Sequence, residues 1–347
     1  MLKEMLEERK LPEFLSRNEM VKLIQKEEYG FIPPVPDKIR FTETEDYIPN
    51  FCAGKATIKK VDITSTFGDK TFTFPVYVTI PKGEGKHLFL VCINFRDNVP
   101  DRFLPVEELV DGGFAVLSFC YNDVTQDNDD MTDGLAGILY PDGKRQPDSA
   151  GKLAMWAWAA HRVMDYAQTL PNLNLHCASV CGHSRLGKAA LLASATDERF
   201  RYAFSCDSGC CGAALSRGKG GEDLAYICKT FPYWFCENFQ KYAGKESEMP
   251  FDQHYLLAAI APGHVYVASA QEDAWADPVS EMLSCVAADG FYQKYGKKGF
   301  VHEDRLPEVG DEYHEGNIGY HLRAGLHYLG REDWQKYMRY VKRHSLV

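Results

Sequence analysis

The chain has 347 residues, of which 45% are hydrophobic and 13% aromatic, and its formal net charge is −10. This composition is sufficient for a packed core and excludes an intrinsically disordered protein. A nucleic-acid or membrane partner is not expected, because phosphate groups and anionic lipids bind cationic surfaces and the sequence has no basic run. No apolar stretch is long enough to span a bilayer.

The N-terminus and the cysteines bear on the cellular location. Residues 1–10 carry charges where a signal peptide needs an uninterrupted apolar core. The eleven cysteines lie mostly inside apolar runs instead of at the spacings of a disulfide framework. We therefore expect a cytoplasmic protein with reduced, buried thiols, or a secreted protein if a signal segment has been removed.

The first 80 residues predict two kinds of structure. Residues 1–50 are predicted to be a helical extension, since residues 1–30 have an amphipathic helical pattern that ends at Gly30 and the proline-rich stretch 33–36. The pattern then changes to period two over residues 55–80, which predicts a pair of antiparallel strands at a sheet edge.

Five short apolar runs follow, each before a helical segment. They lie at residues 87–95, 114–121, 175–181, 201–206 and 264–270. Strands that are apolar on both faces and alternate with helices predict a mostly parallel sheet covered on both sides. The aromatic segment 212–262 interrupts this alternation, and we predict that it forms a cap or lid. The expected architecture is one domain over residues 1–347, a three-layer α/β/α sandwich with antiparallel N-terminal edge strands.

A serine lies where the 175–181 strand meets the next helix, in Gly182-His183-Ser184-Arg185-Leu186-Gly187-Lys188. Such a small-residue turn can hold a serine on a strained elbow, as in α/β-hydrolases, with a neighbouring N–H group facing a developing oxyanion. The common elbow is G-x-S-x-G, whereas here the second glycine comes one residue later. The alternative is that Ser184 only caps the helix. We expect Ser184 to be a nucleophile and the fold to be of the α/β-hydrolase type.

A serine nucleophile needs a general base. The histidines near the C-terminus are His302, His314, His321, His327 and His344. We prefer His327, because it lies just before the predicted final helix, where α/β-hydrolases carry their loop histidine. His321 is the rival candidate.

Two carboxylates are candidates for the acid that orients the imidazole. Asp273 follows the 264–270 strand, and Asp207 follows the 201–206 strand. With either aspartate, the order along the chain is nucleophile, acid, histidine, which is the order that this fold uses. Each aspartate could instead cap a turn.

Several motifs between about Val180 and the C-terminus, taken in order, resemble the bacterial glucuronoyl esterases of carbohydrate esterase family 15. They are the Ser184 turn, Asp207-Ser208-Gly209-Cys210, Gly221-Glu222, Trp234-Phe235-Cys236, Asp252-Gln253-His254, Ala268-Ser269-Ala270, Trp275-Ala276-Asp277-Pro278 and Gly319-Tyr320-His321. The resemblance implies cleavage of the ester between 4-O-methyl-glucuronic acid on xylan and an alcohol of lignin.

The resemblance also implies catalytic roles. Ser184 corresponds to the family nucleophile, His327 to its base, and Arg185 to an arginine that helps to bind the oxyanion. Bacterial members usually place the acid after the late strand, which makes Asp273 our first choice. Fungal members place a glutamate where this chain has Asp207, so the assignment stays open. The chain has His327-Tyr328-Leu329 where bacterial relatives commonly have a His-Asp pair.

On the substrate side, Lys188 and Glu222 correspond to residues that bind sugar hydroxyls, and Trp275 to an aromatic that packs on the uronate. We therefore expect a serine carboxylic-ester hydrolase that acts on (4-O-methyl-)glucuronate esters of glucuronoxylan through an acyl-enzyme. The alternatives are an acetylxylan esterase or general carboxylesterase, and, more remotely, an inactive carbohydrate-binding relative.

A cofactor or metal is not expected. The cysteines and histidines around the nucleophile lack the C-x-x-C and H-x-x-x-H spacings of zinc sites. They are His176, His183, Cys206, Cys210 and Cys211. The acidic stretch 123–133 lacks the terminal glutamate of an EF-hand loop, so we expect a solvated loop.

Overall fold

The computed structural model describes residues 1–101 and 103–345. The strands in this part of the chain are β1 Lys38–Phe51, β2 Ala56–Phe67, β3 Lys70–Pro81, β4 His87–Asn94, β5 Phe114–Cys120, β6 Leu173–His183, β7 Tyr202–Cys206, β8 His264–Ala270, β9 Glu312–Tyr313 and β10 Ile318–Arg323. The α-helices are α1 Leu2–Arg9, α2 Arg17–Ile24, α3 Val106–Asp111, α4 Gly134–Leu139, α5 Lys152–Ala167, α6 Arg185–Thr196, α7 Leu224–Thr230, α8 His254–Ala258, α9 Pro278–Gln293 and α10 Arg331–Ser345.

All of these strands belong to one sheet, in the order β1-β2-β3-β5-β4-β6-β7-β8-β10-β9. The strands from β5 to β10 in this order are parallel to one another. Strands β1, β2 and β3 are antiparallel at one edge, and β9 is antiparallel at the other. The predicted antiparallel pair and the mostly parallel sheet are therefore confirmed.

The central strands are apolar on both faces because each face is covered. In β4, the side chains of Phe89, Val91 and Ile93 belong to one buried cluster, and those of Leu90 and Cys92 belong to another. The first cluster includes residues of α5, α6 and α9, and the second includes residues of α3 and α10. This arrangement is the three-layer α/β/α sandwich that the sequence predicts.

The prediction of a helical extension over residues 1–50 is wrong in its second half. Helices α1 and α2 are separate, and α2 begins at a capping box in which the Ser16 hydroxyl accepts from the Glu19 N–H. A π-helical turn, Gln25–Tyr29, follows α2. The next element is the edge strand β1, which pairs with β2. Its half-buried Ile39 and Phe41 alternate with charged or polar residues, a weak pattern that is typical of an exposed edge.

The segment 212–262 lies between β7 and β8 and contains α7, α8 and short 3₁₀ turns. Helix α8 packs between α6 and α9, whereas the aromatic run that precedes it reaches the side chain of Arg185. The role of this segment as a lid stays a prediction. In the described part of the chain, no helix has the length and apolar character needed to cross a bilayer.

Candidate active site

The predicted elbow is present, and its backbone is strained at the serine. Ser184 lies between β6 and α6 with φ 58° and ψ −129°. A Cβ on Gly182 would lie 2.1 Å from the carbonyl oxygen of Leu186, and one on Gly187 would lie 2.9 Å from the hydroxyl of Ser205. Gly187 thus provides the close approach to β7, while Leu186 is buried in the core. This explains why the elbow tolerates the shifted second glycine.

An imidazole lines the same cavity as the serine and is oriented by a carboxylate. His327 Nδ1 lies 2.6 Å from Asp273 Oδ2, which leaves Nε2 as the nitrogen that can take a proton. Ser184 and His327 line the same cavity, whose volume is about 510 Å³. The Asp273 carboxylate is almost fully buried and also accepts from the N–H of Ala276 at 3.2 Å. The structure thus brings together the predicted nucleophile, base and preferred acid.

The pKa values fit a base and its orienting carboxylate. Burial lowers the pKa of His327, but the hydrogen bond and charge of Asp273, together with the charge of Asp207, outweigh it, so the pKa is raised above 6.5. Burial raises the pKa of Asp273, but the hydrogen bond to His327 and the charge of the imidazolium outweigh it, so the pKa is lowered. Asp273 therefore stays ionised while His327 gains and loses a proton.

The rival carboxylate has a different partner. Asp207 Oδ2 accepts a hydrogen bond of 2.8 Å from Nη2 of Arg323, and both side chains are fully buried. Burial raises the pKa of Asp207, and the charge of Arg323 opposes this shift. Because the imidazole bonds to Asp273 and the guanidinium to Asp207, the geometry favours Asp273 as the orienting acid.

Arg185 follows the serine and is fixed by a carboxylate and an indole ring. Its Nη1 donates to Asp127 Oδ2, and its Cζ lies 4.8 Å from the ring centroid of Trp234. The indole N–H of Trp234 donates to Asp127 at 2.6 Å. Arg185 Nε is buried and has no hydrogen-bond partner among the described residues. The N–H of Arg185 is the first of α6 and so has no carbonyl partner within the helix.

Lys188 and Glu222 neighbour each other and do not line the cavity that holds Ser184. The buried Lys188 ammonium donates to the carbonyls of Ser208 and Cys210, each at 2.5 Å. The Glu222 carboxylate lies 3.9 Å from the ammonium, which forms an ion pair beyond hydrogen-bond distance. A neutral sugar hydroxyl placed here would find both a donor and an acceptor.

Trp275 is unusual because it is a large aromatic that is 49% exposed. Its ring meets the ring of Tyr226 edge-on at 5.0 Å, and Tyr226 is itself 45% exposed. The Trp275 carbonyl accepts from the N–H of Glu222 at 3.0 Å, which joins this aromatic pair to the Lys188 side of the site.

The other C-terminal histidines do not replace His327. His321, the rival base, is fully buried, and its Nε2 lies 2.8 Å from Asp333. His314 bonds to the hydroxyl of Tyr266, and His344 to a backbone carbonyl. These contacts assign structural roles to the three residues.

One group of side chains in the described residues has a spacing that could hold a metal ion. The ligand atoms of His183, Asp207 and His327 lie within 4.8 Å of one another. A cation fits poorly there, because the Arg323 guanidinium already donates to Asp207. All eleven cysteines are buried free thiols.

The acidic stretch 123–133 is a loop after β5 in which Asp129 and Asp130 are exposed, as the sequence predicts, but the loop is also anchored to the protein. The fully buried ammonium of Lys152 donates to the carbonyls of Gln126 and Asp130 at 2.6 and 2.7 Å. This anchors the loop against α5 and presents Asp127 to Arg185. The relevant signal in the sequence is the position of the stretch directly after β5, at the edge of the sheet where the nucleophile lies.

Two further residues of the site were not predicted. His183, next to the nucleophile, packs against His327 with ring centroids 4.5 Å apart and the rings tilted by 47°. Burial and the neighbouring His327 lower its pKa to about 3, so it stays neutral. The second is Arg323, the last residue of β10. The sequence feature that could have identified it is a single arginine in an otherwise uncharged strand, since a buried charge needs partners.

A serine on a strained strand-to-helix elbow, in one cavity with a histidine that bonds to a buried aspartate, defines a serine hydrolase of the α/β-hydrolase class. A family model described as glucuronyl esterase, fungi, matches residues 63–296. The chain therefore belongs to the glucuronoyl esterase family, which confirms the resemblance seen in its motifs.

Relatives of known sequence agree with this assignment. The chain is 37% identical over 241 residues to Carbohydrate esterase MZ0003 of an unknown prokaryotic organism, covering 69% of this chain and 55% of that protein. It thus spans about half the length of that relative. It is 27% identical over 310 residues to 4-O-methyl-glucuronoyl methylesterase 1 of Wolfiporia cocos, covering 86% of this chain and 70% of that protein.

Two solved structures are similar over almost the whole chain. A glucuronoyl esterase from Solibacter usitatus is 30% identical, with a TM-score of 0.86, and the similarity covers 94% of this chain and 91% of that one. A promiscuous CE15 esterase from a marine bacterial metagenome is also 30% identical, with a TM-score of 0.85 and the same coverage.

The elbow geometry predicts the effect of adding one methyl group. Gly182→Ala should lower kcat by about 10²-fold, because the new Cβ would collide with the Leu186 carbonyl and displace Ser184. Gly290→Ala is the matched control: it lies in α9 with open space around its Cβ position, and should keep full activity. Initial-rate kinetics and melting temperatures check both variants. Wild-type kcat in Gly182→Ala would contradict the elbow argument.

The geometry also predicts which aspartate supports the base. Asp273→Asn should lower kcat by about 10³–10⁴-fold, because the imidazole loses the anion that orients it. Since neutral His327 is the base, kcat should rise with pH through a midpoint above 6.5 in the wild type and through a lower one in Asp273→Asn. Asp207→Asn should have a smaller effect on kcat by at least tenfold. If the pH–rate profiles showed a larger loss of kcat in Asp207→Asn than in Asp273→Asn, the orienting acid would be Asp207.

Proposed function

We propose that this chain hydrolyses esters of 4-O-methyl-glucuronic acid, as found in glucuronoxylan, through an acyl-enzyme on Ser184. The supporting observation is the polar surface around the nucleophile, where Arg185 and Lys188 supply two cationic groups that a site for purely apolar esters would not need. The names of the Wolfiporia cocos and Solibacter usitatus relatives support the same substrate class.

The proposed reaction has two halves. His327 Nε2 takes the proton of Ser184 as Oγ attacks the ester carbonyl carbon, forming a tetrahedral intermediate. The carbonyl re-forms, the bond to the alcohol oxygen breaks, and the imidazolium returns the proton to that oxygen. A water molecule then attacks the acyl-enzyme in the same way and releases the carboxylic acid. Asp273 stabilises the imidazolium in both halves.

The oxyanion is stabilised in this mechanism by Arg185. Its backbone N–H lies at the positive end of the α6 dipole, and its buried Nε supplies a second donor. The bond to Asp127 and the contact with Trp234 hold the guanidinium rigidly, so little reorganisation is needed when the negative charge develops. A donor of this type typically contributes 10²–10³-fold to kcat.

The two sides of the nucleophile suit the two halves of the ester. Lys188, Glu222 and Trp275 offer hydrogen bonds and a flat apolar face for the sugar. The 510 Å³ cavity on the other side is lined by Phe95, Leu329 and other apolar or aromatic residues, and suits the alcohol. In this proposal Arg185 acts on the reacting oxygen, whereas Lys188, Glu222 and Trp275 bind the uronate.

A broader ester specificity is the second candidate, because one similar structure is of a promiscuous esterase. This candidate covers the acetylxylan esterase and general carboxylesterase hypotheses. The cytoplasmic location, predicted from the charged first ten residues, also stays a prediction.

The proposed function is tested with methyl 4-O-methyl-glucuronate. The wild type should hydrolyse it, and Ser184→Ala should abolish turnover, as measured by release of the free acid. A fluorophosphonate probe should label the wild type but not the variant. Failure of the probe to label the wild type would favour the inactive carbohydrate-binding relative, and labelling without turnover would exclude this substrate.

Lys188 distinguishes the uronate ester from simple esters. Lys188→Met should lower kcat/KM for methyl glucuronate by about 10–100-fold, because a charged donor to the sugar typically contributes 1.5–3 kcal/mol. Hydrolysis of p-nitrophenyl acetate should change less than threefold. Lys336→Met is the control, since Lys336 is equally buried but pairs with Glu332 in α10. An equal loss on both substrates would contradict uronate recognition by Lys188.

A further inference from the structure

Arg323 is buried beneath the catalytic histidine loop, and every N–H group of its guanidinium has a partner. Nε donates to Asp333 Oδ1 at 3.1 Å, and Nη2 donates to Asp207 Oδ2 at 2.8 Å. Nη1 donates to the carbonyls of Ala324 and Leu326, at 3.2 and 3.0 Å, and Nη2 also donates to the carbonyl of Tyr328. These contacts use all five donors that a guanidinium has.

Three of the five bonds converge on the loop that carries the base. Leu326 and Tyr328 are the neighbours of His327 in sequence, so the guanidinium holds the peptide groups on both sides of it. The Tyr328 ring also covers the guanidinium, with its centroid 4.0 Å from Cζ. The side chain of His327 itself is 42% exposed, so its packing alone does not fix it.

The two carboxylates hold the guanidinium in place. Asp333 accepts from the N–H of Gly330 at 2.7 Å, and its other neighbour is His321 Nε2 at 2.8 Å. Asp207 follows β7, so Arg323 connects β7, β10 and the start of α10. Each charge is fully buried, and such charges persist only when they are paired and hydrogen-bonded.

We propose that Arg323 is a positioning residue for the base, which fixes the 324–328 loop so that His327 faces Ser184, and that Asp207 is its counterion. This inference rests on the proposed acyl-enzyme mechanism but is independent of the sugar that the enzyme recognises. A displacement of the base by about 1 Å is enough to cost about 10² in rate. Lysine cannot replace Arg323, because an ammonium has three donors and cannot span five acceptors.

The test compares Arg323→Lys with the wild type on p-nitrophenyl acetate and methyl glucuronate. We expect kcat to fall by about 10²-fold on both substrates, with KM for the uronate ester unchanged, because the sugar-binding groups lie elsewhere. The pH midpoint of kcat should fall, since a loosened His327 loses part of its bond to Asp273. Fluorophosphonate labelling of Ser184 should slow in parallel. If the enzyme does not hydrolyse the uronate ester, the rates on p-nitrophenyl acetate and the fluorophosphonate labelling still test the role of Arg323.

Arg217→Lys is the matched control. Arg217 is also buried, pairs with Asp252 at 3.1 Å and donates to two backbone carbonyls, but it lies in the 212–262 segment. Both lysine variants should lower the melting temperature, and only Arg323→Lys should lower kcat and shift its pH midpoint. Wild-type kcat in a folded Arg323→Lys protein, or equal losses in both variants, would overturn the proposal.

If Arg323→Lys does not fold, the Asp333→Asn variant tests the proposal instead. The amide has the volume of the carboxylate but removes one charge that holds the guanidinium. It should lower kcat by about tenfold at constant KM. Wild-type kcat and pH dependence in Asp333→Asn would then overturn the proposal.

Discussion

The alignment of parallel strands is the constraint on which the site depends. The end of β6 pairs with the end of β7 at His183 and Cys206, β7 pairs with β8 at Cys206 and Ala268, and β8 pairs with β10 at Ala270 and Arg323. Because the carboxyl ends of parallel strands lie at one edge, the loops after them carry the nucleophile, the two carboxylates and the base to the same place. A shift of one residue in any pair would turn these groups to opposite faces of the sheet.

Two carboxylates, Asp273 and Asp207, lie near the His327 imidazole, and their different partners give them different roles. Asp273 bonds to His327 and lets its positive charge form, whereas Asp207 bonds to a permanent cation. His183 lies against His327 but stays neutral because burial lowers its pKa. The imidazolium that forms during proton transfer therefore has one anion in contact and meets no second positive ring. This is the arrangement that a general base with a raised pKa requires.

The parts of the fold with strong periodicity were predictable. The apolar runs predicted the central strands, and the order serine, aspartate, histidine limited the candidates for the triad. The preference for Asp273 over Asp207 came from the resemblance to the bacterial glucuronoyl esterases. Strand β1 was missed, because it is an edge strand whose four half-buried apolar residues, Ile39, Phe41, Ile48 and Phe51, are separated by charged or polar ones. Asp127 was missed because its loop is acidic, and only the buried Lys152 shows that the loop is anchored. Such contacts depend on where long side chains reach, which spacing along the chain does not encode.

The chain has a carboxylate at both candidate positions for the acid, and the structure gives the two carboxylates different partners. A buried arginine at the end of β10 needs an anion within hydrogen-bond distance, and the residue after β7 is placed to supply it. Asp207 is paired with Arg323 at 2.8 Å, whereas the imidazole bonds to Asp273. Asp273 therefore orients the base, and an aspartate at position 207 is long enough to be the counterion of Arg323. The two carboxylates thus divide between orienting the base directly and holding the loop on which it stands.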